Sequence, residues 1–287
     1  MNATLRAALW MLGAIFSFSA MAIAGRELSA GFDTFEIMLY RSVFGLVIVL
    51  GLAFLTGTYR QIGTEALGLH LVRNLFHFTG QNLWFYAVTV VPLAQVFALE
   101  FTTPLWVIVL SPFLLGERLT GLRALAATIG FAGILIVARP GAAELNSGIL
   151  AAGGCALFFA LTYVFTKRLT ATQSITAIMF YLTLLQLVFG AITAGYDGDI
   201  AVPTVAALPL LGLIGACGLL AHYCITKALT LAPAAVVAPI DFARLPIIAI
   251  VAMLVYGEAL DLWVFVGAAV IFGGNYLNIW SESRKAA

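Results

Sequence analysis

The sequence predicts an all-α polytopic membrane protein whose ten transmembrane helices form two inverted five-helix repeats around a central cavity. Three observations predict this fold: a composition that is 63% hydrophobic and 9% charged, ten long apolar runs, and a match between the two halves of the chain at one fixed shift. Soluble proteins carry about 25% charged residues. The composition therefore excludes a soluble enzyme, a disordered chain and a secreted disulfide scaffold. The net charge of +1 offers no basic face for nucleic acid.

The apolar runs give the ten elements in chain order. A helix needs about 20 apolar residues to cross the hydrocarbon layer of a bilayer. Runs of that length alternate with charged residues, glycines and prolines, and they predict spans 1 to 10 at 5–24, 34–55, 66–89, 93–114, 120–138, 148–166, 174–194, 205–226, 234–256 and 261–280. Little chain is left between them, so we expect no soluble domain. The unbroken runs do not resemble the alternating ten-residue strands of a membrane barrel.

The two halves of the chain match at a shift of 141 residues, which is the separation of Pro92 and Pro233. The same shift pairs Gly116-Glu117 with Gly257-Glu258. We therefore predict two domains, a first five-helix repeat at 1–141 and a second at 142–287. Because five crossings leave the chain on the opposite side of the membrane, the second repeat must be inverted relative to the first.

The positive charges predict how the chain is oriented. With a cytoplasmic N-terminus, only Arg26 and Arg139 lie at outer helix ends, whereas nine basic residues lie at inner ends. These nine are Arg6, Arg60, Arg118, Arg123, Lys167, Arg168, Lys227, Arg284 and Lys285. Lys and Arg accumulate on the cytoplasmic side of membrane proteins. We therefore expect a multi-pass protein of the plasma (inner) membrane with both termini in the cytoplasm.

In both repeats the fourth span ends in Gly-Glu before a short turn, as in "FLLGERLTG" and "LVYGEALDL". With these motifs the chain resembles the EamA-type branch of the drug/metabolite transporter superfamily, over essentially all 287 residues. The resemblance implies a ten-helix basket whose central cavity is lined by spans 1, 3, 4, 6, 8 and 9. Within that superfamily the chain is most similar to the aromatic amino-acid exporters.

That resemblance implies an exporter of amino acids, aromatic or large neutral ones, and of related small metabolites, working by alternating access. The partners it implies are a small-molecule substrate and the lipid bilayer. An exporter of lipophilic cations, of drugs or of another metabolite on the same fold remains an alternative, and an intramembrane enzyme is a distant one. No HExxH, GxSxG, P-loop or CxxC pattern occurs, so we expect no enzyme activity, no cofactor and no metal.

Charged residues inside spans mark the first candidate site, because a charge within the bilayer is costly and usually functional. Glu100 in span 4 and Asp241 in span 9 are separated by the repeat shift, and Arg244 follows Asp241 by three residues. The two acids are predicted to bind a substrate ammonium group and Arg244 a carboxylate. Arg41 and Arg73 are further possible partners of the acids. The alternative is a purely structural network of buried ion pairs.

Span 3 carries a polar stripe that should face the cavity. Arg73, His77, Gln81 and Trp84 fall on one helical face, and a polar stripe does not face lipid. His77, Gln81, Asn82 and Trp84 are therefore candidate substrate-binding residues. The alternative for His77 is a hydrogen bond between helices.

Aromatic residues on the spans expected to line the cavity complete the predicted site. Phe16, Phe101, Trp106 and Tyr163 are candidates to hold the apolar part of the substrate. Each of them could instead pack within the protein or face lipid.

Three further sequence features predict architecture. The Gly-Glu pairs are read as turns, followed by Thr120 and Asp261 as N-caps of spans 5 and 10. Glycines in those two spans predict tight helix packing. The prolines predict bends or breaks in spans 4 and 9, and they are Pro92, Pro104, Pro112, Pro233, Pro239 and Pro246.

Overall fold

A computed structural model of the chain describes residues 3–116, 121–139, 146–196, 198–232, 237, 240–241, 244–259 and 261–285. Some predictions concern residues that lie outside these ranges. These are the turn role of Glu117, the cap role of Thr120 and the predicted bends at Pro233 and Pro239.

Every regular element within the described part of the chain is helical. A helix lies on each predicted span, and span 4 is divided between two helices. A short 3₁₀ helix at Thr58–Gln61 follows the second helix. The helices are α1 (Ala3–Leu28), α2 (Thr34–Leu55), α3 (Leu67–Val90), α4 (Leu93–Glu100), α5 (Thr103–Leu114), α6 (Gly121–Ala138), α7 (Ser147–Leu169), α8 (Ile175–Ala194), α9 (Leu208–Leu231), α10 (Arg244–Tyr256) and α11 (Leu262–Lys285).

Six helical segments are long and apolar enough to cross a membrane by length and composition alone. The apolar parts of α6, α10 and α11 are shorter, and α3 is interrupted by polar residues such as Arg73 and His77. Large apolar side chains stand exposed along the outer surface, including Phe54, Leu135 and Leu254. An exposed surface of this kind requires lipid around it. The fold is therefore that of a multi-pass membrane protein.

The predicted break in span 4 occurs at Pro104. Proline has no N–H, so the carbonyl of Glu100 loses its helical donor. The Thr103 hydroxyl replaces that donor at 2.7 Å, and α4 ends at Glu100 while α5 begins at Thr103. The break therefore places the Glu100 carboxylate at the end of a half-helix in the interior. Pro112 lies inside α5 without ending it.

The helices pair between the two repeats. The most extensive packing joins α1 to α9, α3 to α7, α2 to α8, and α6 to α11. In each pair one helix comes from the first repeat and the other from the second, and exchanging the repeats converts the α1–α9 pair into the α7–α3 pair. The repeats are thus interlocked, which fits an internal pseudo-twofold arrangement.

Glycines bring α6 and α11 into backbone contact, as their frequency in these spans predicts. A methyl group at Gly133 would lie 2.8 Å from the carbonyl oxygen of Gly267, and one at Gly274 would lie 2.6 Å from that of Ala126. Gly133 and Gly274 are separated by the repeat shift, and so are Ala126 and Gly267. The same contact is therefore made twice across this helix pair.

Arg26 closes one end of the helix assembly. Its guanidinium donates to the carbonyl oxygens of Val88 and Val91 at the C-terminal end of α3, at 2.7 Å each. It also forms an ion pair with Glu258, and the other carboxylate oxygen of Glu258 accepts from the N–H of Leu93 at 2.9 Å. The predicted role of Glu258 as a turn residue is thus incomplete, because its side chain joins α1, the start of α4 and the end of α10.

The second repeat copies this arrangement at Lys167, which lies one repeat shift after Arg26. Its ammonium group donates to the carbonyl oxygens of Leu229 at 2.9 Å and of Ala232 at 3.5 Å, at the end of α9. Both acceptors lie one repeat shift after those of Arg26. A cation at a helix C-terminus satisfies carbonyls that lack helical partners. Asp261 acts as the predicted N-cap, accepting from the N–H of Trp263 at 2.9 Å, and it also pairs with Arg139.

Candidate central binding site

A cavity lies between α1, α3, α4, α5, α7 and α9 and the segment that contains Asp241 and Arg244. These elements correspond to spans 1, 3, 4, 6, 8 and 9. The cavity has an empty volume of about 730 Å³, counting its mouth. Its walls combine aromatic, aliphatic, hydroxyl and charged side chains, which is the composition of a small-molecule site.

The acids and the arginine predicted from the spans meet in this cavity. Arg244 is almost fully buried; it donates to Glu100 Oε1 at 2.7 Å and also pairs with Asp241. Trp84 donates its indole N–H to Glu100 Oε2 at 2.7 Å. Glu100 is therefore held by two donors at once. The second oxygen of Asp241, Oδ1, has no partner among the described residues and is left for a donor from elsewhere.

Aromatic rings surround the Arg244 guanidinium. Its central carbon lies 4.8 Å from the ring centre of Phe18, 4.7 Å from that of Phe97 and 5.6 Å from that of Phe101. Cation–π contacts of this length are favourable when the cation is desolvated. The rings and the two carboxylates fix the guanidinium in one position.

Two histidines face each other at another part of the cavity. His77 on α3 and His222 on α9 lie with ring centres 4.3 Å apart and planes at 89°. Both line the cavity, as does Gln81, one turn after His77. His77 and Gln81 thus lie where the polar stripe of span 3 predicts. His222 occupies the position of Gln81 in the second repeat.

The other two buried arginines do not join the acids. Arg73 lines the cavity and donates to the Thr166 hydroxyl at 3.1 Å and to the Asn74 amide oxygen at 2.9 Å. Arg41 packs outside this cavity, against Gly218 on α9. Neither forms an ion pair with a carboxylate among the described residues. The expectation that they are partners of the two acids is wrong. Both acids pair with Arg244 instead, and the contacts of Arg73 and Arg41 lie elsewhere.

Eight of the eleven predicted site residues line the cavity, and three do not. The eight are His77, Gln81, Trp84, Glu100, Phe101, Tyr163, Asp241 and Arg244. Phe16 points outward with 65% of its surface exposed. Trp106 packs edge to face on Phe131 at 5.2 Å. Asn82 donates to the Phe78 carbonyl on its own helix at 2.9 Å.

These three side chains lie outside the cavity because neighbouring positions along a helix project in directions about 100° apart. Asn82 is adjacent to Gln81 in sequence and so projects from a different side of α3. On α1 the cavity residues are Phe18 and Met21 rather than Phe16. In a helix that is apolar on every side, the presence of an aromatic residue does not show which face points inward.

Several cavity residues were not predicted as site residues. Phe159, Thr162 and Thr166 are three of them, and they lie on the same helical face of α7 as the predicted Tyr163. Two threonines on one face of an apolar span would have indicated that this face of α7 turns toward the cavity. The remaining wall residues are Phe18, Met21, Arg73, Thr103, Pro104, His222 and Ile225.

The charges of the described wall residues balance. Arg73 and Arg244 carry two positive charges, and Glu100 and Asp241 carry two negative ones. The described residues contain no group of three His, Cys, Asp or Glu side chains that could hold a metal ion. The formal charges of these wall residues therefore sum to zero, with both carboxylates paired to Arg244 and with Arg73 apart from them.

Comparison with known proteins gives a family. The profile of the EamA-like transporter family matches the chain twice, at residues 5–139 and 146–280. The two matches are offset by the same shift that relates the halves of the sequence. A crystal structure at 18% identity superposes with a TM-score of 0.71 over 98% of this chain and 99% of its own, which shows the same fold.

Curated relatives cover nearly the whole chain. A riboflavin transporter of Brucella anthropi is 32% identical over 92% of this chain and 95% of its own length. A riboflavin transporter of Vibrio cholerae is 30% identical over 98% and 95%. An S-adenosylmethionine uptake transporter of Rickettsia bellii is 26% identical over 96% and 94%. The predicted family is confirmed, but these relatives are not aromatic amino-acid exporters.

Proposed function

The chain belongs to the EamA-like transporter family, and from that premise we propose that it carries a small metabolite with a flat aromatic ring system through the central cavity, with riboflavin as the first candidate. The observation that carries this proposal is the cavity wall. It combines the rings of Trp84, Phe101, Phe159 and Tyr163 with a set of formal charges that sums to zero. Aromatic walls favour a flat ring, and balanced charge favours a substrate without net charge.

Riboflavin fits this description by its chemistry. It is an uncharged three-ring heteroaromatic molecule with a chain of hydroxyl groups. The relatives from Brucella anthropi and Vibrio cholerae named riboflavin transporters share 32% and 30% of their residues with this chain. The wall hydroxyls of Thr103, Thr162 and Thr166 offer partners for a polyol chain.

The mechanism we propose is alternating access in the plasma (inner) membrane, with both termini cytoplasmic. Repeats at 1–141 and 142–287 rock against each other around the cavity, as inverted repeats do in other carriers. The broken helix at Pro104 lies at the cavity wall, where a half-helix end can move with the substrate. The sequence-based proposal gives export as the direction of net transport, and a carrier of either direction supports the counterflow described below.

A second candidate substrate class is an amino acid or a metabolite that carries an amino-acid group. The specific observation in its favour is Oδ1 of Asp241, which has no hydrogen-bond partner among the described residues and can accept from a substrate ammonium group. This class includes the aromatic amino acids proposed from the sequence. It also includes S-adenosylmethionine, named for the Rickettsia bellii relative.

Flux through the purified protein in liposomes tests the proposal. Liposomes loaded with unlabelled riboflavin, S-adenosylmethionine or tryptophan are given the same labelled compound outside, and counterflow is followed. We expect saturable counterflow of riboflavin, whether the labelled compound starts outside or inside the liposomes. Saturable counterflow of S-adenosylmethionine or tryptophan without riboflavin would replace the first candidate by the second, and no counterflow of any of the three would contradict both.

A matched pair of variants tests whether the transported riboflavin binds in the cavity. Phe159→Ala removes a ring from the cavity wall, whereas Phe54→Ala removes one from the lipid-facing surface, where 64% of Phe54 is exposed. We expect Phe159→Ala to raise the KM for riboflavin about tenfold, since one stacked ring contributes about 1–1.5 kcal/mol. Phe54→Ala should leave the KM unchanged.

A further inference from the structure

Four of the eleven buried polar side-chain atoms that make no hydrogen bond within the described part of the chain lie at the histidine part of the cavity. Both ring nitrogens of His77, Nε2 of His222 and Oε1 of Gln81 are buried and make no hydrogen bond among the described residues. Each of these three side chains is at most 6% exposed, and all three line the cavity. A buried polar atom without a partner is costly, at about 1–3 kcal/mol. Unmet hydrogen bonds at the wall of a transport cavity point to a bound molecule that meets them.

The histidines cannot satisfy each other. Their planes are perpendicular and their ring centres are 4.3 Å apart, so the edge of one ring meets the face of the other. Arg73, one turn before His77 on α3, is already engaged with Thr166 and Asn74. The free nitrogens are therefore available to a molecule in the cavity.

The free atoms specify the chemistry of that molecule. A neutral imidazole has one donor and one acceptor nitrogen, and Gln81 Oε1 can only accept. A carboxylate offers acceptors alone and would leave Oε1 unmet, and an ammonium group offers donors alone and would leave the imidazole N–H groups unmet. An edge that presents donor and acceptor atoms side by side meets three of the four atoms, namely one N–H of each imidazole and Oε1, a combination that neither of the other two groups meets.

Nearby arginines bias the subsite further. Arg73 lies one turn before His77 on α3, and Arg41 packs against Gly218, one turn before His222 on α9. Neither arginine is paired with a carboxylate among the described residues. Two positive charges, each one helical turn from a histidine or from its position on the facing helix, favour a partner that is rich in carbonyl oxygens.

We propose that His77, His222 and Gln81 form a subsite that recognises an imide edge, C(=O)–NH–C(=O), of the transported ring. This inference rests on the proposed function, and it assigns the end of the ring that enters the histidine part of the cavity. Two carbonyl oxygens accept from the imidazole N–H groups, and the imide N–H donates to Gln81. The isoalloxazine ring of riboflavin carries one such edge, around its N3 position.

The test compares riboflavin with 3-methylriboflavin, in which a methyl group replaces the imide hydrogen and leaves the ring and the polyol chain intact. Binding to the purified protein in nanodiscs is followed by flavin fluorescence. We expect 3-methylriboflavin to bind at least tenfold more weakly, because it leaves a buried acceptor unpaired and adds a methyl group at the contact. Equal affinities would overturn the subsite while leaving riboflavin transport intact.

Variants test which residues produce the preference for riboflavin over 3-methylriboflavin. Gln81→Leu and His222→Phe should each weaken riboflavin binding about tenfold, and Gln81→Leu should also reduce the preference for riboflavin over 3-methylriboflavin. His70→Phe is the control, because His70 is also buried on α3 but packs on Tyr181, with ring centres 4.4 Å apart, outside the cavity. Variants that elute from gel filtration as the parent does are compared. A preference that survives in Gln81→Leu would contradict the assignment.

Failure of the subsite and failure of the proposed function give different results. Riboflavin that binds as well as its 3-methyl derivative rejects the subsite alone. If neither flavin binds and neither is transported, the proposed substrate is wrong and the subsite proposal falls with it.

Discussion

At the scale of single residues, Arg244 holds the cavity together. It forms ion pairs with Glu100 and Asp241 and packs under three phenylalanine rings. Removing one member of a buried ion pair leaves an uncompensated charge, which costs more than the pair itself contributes. The arginine is therefore a structural requirement whether or not it contacts substrate.

We predict that Arg244→Met lowers the stability of the protein by about 3–5 kcal/mol, because two buried carboxylates lose their shared cation. The measurement is the melting temperature of the purified protein in detergent. Arg60→Met, at an exposed arginine of the 3₁₀ helix, is the control and should melt as the parent does.

Charge and packing can be separated at this site. A triple variant that combines Arg244→Met with Glu100→Gln and Asp241→Asn removes the unpaired charges but not the lost ring contacts. We expect it to recover most of the lost melting temperature. A triple variant as unstable as the single one would show that packing on the phenylalanines, rather than charge, was the main contribution.

Residue type and spacing were enough to predict the charged part of the site. Glu100 and Asp241 were recognisable because charges in apolar spans are rare and because the repeat shift relates them. Phe16 and Trp106 were not distinguishable from Phe18 and Phe159, since an aromatic side chain is equally acceptable to lipid, to a neighbouring helix and to a cavity. The direction of an aromatic depends on helix rotation, which tertiary packing sets.

At the scale of helices, close packing through glycine holds α6 to α11. Glycine allows two backbones to approach, and contacts of this type dominate helix association in lipid. The two helices form a peripheral pair, and none of the described residues that line the central cavity comes from either of them.

We predict that Gly274→Ala destabilises the protein by about 1–3 kcal/mol, the range seen when a methyl group is forced into a packed contact. Its methyl group would lie 2.6 Å from the Ala126 carbonyl oxygen. Gly273→Ala, one residue earlier, is the control because nothing lies within 4 Å of its added methyl group. Thermal melting compares the two, and an equal effect at both positions would contradict the packing described.

The ion pair of Arg26 and Glu258 joins helix ends that are far apart in sequence. Both side chains are 17% exposed, so solvent screens the pair only in part. We predict that Glu258→Gln costs about 1.5–3 kcal/mol, the range for hydrogen bonds to charged groups. Melting in low and high salt checks this, with the exposed Glu65→Gln as control. A melting temperature unchanged from the parent in low salt would contradict a contribution from this pair.

The sequence predicted helix positions well and helix ends less well. Each predicted span carries a helix, because long apolar runs have few other structures in lipid. The division of span 4 at Pro104 was predicted only as a bend or break, since the outcome depends on whether a side chain replaces the missing donor. The Arg26–Glu258 pair was not predicted, because it joins residues 232 positions apart.

At the scale of the whole molecule, two interlocked repeats enclose one central cavity. The family profile matches both halves at the shift found in the sequence, and the repeat-related contacts of Arg26 and Lys167 appear at both ends of the assembly. An odd number of membrane spans per repeat requires that the two copies point in opposite directions. In the mechanism we propose, such a molecule exposes the cavity to either side by equivalent motions.

We predict that both termini lie in the cytoplasm. In a variant whose native Cys155, Cys217 and Cys224 are replaced by alanine, Ala30→Cys should react from outside intact cells with a membrane-impermeant maleimide. Arg60→Cys should react only after the cells are opened. The excess of positive charge at the inner helix ends is the physical reason, and the reverse labelling pattern would overturn the orientation.

The central claim is that the cavity between the repeats is the substrate site. A cryo-electron microscopy structure of the protein in nanodiscs with saturating riboflavin tests it most directly. We predict flat density inside the cavity, with one edge against His77 and His222 and the ring system between them and the Arg244 cluster. Flavin density on the lipid-facing surface alone, or an unchanged empty cavity at saturating riboflavin, would contradict the account.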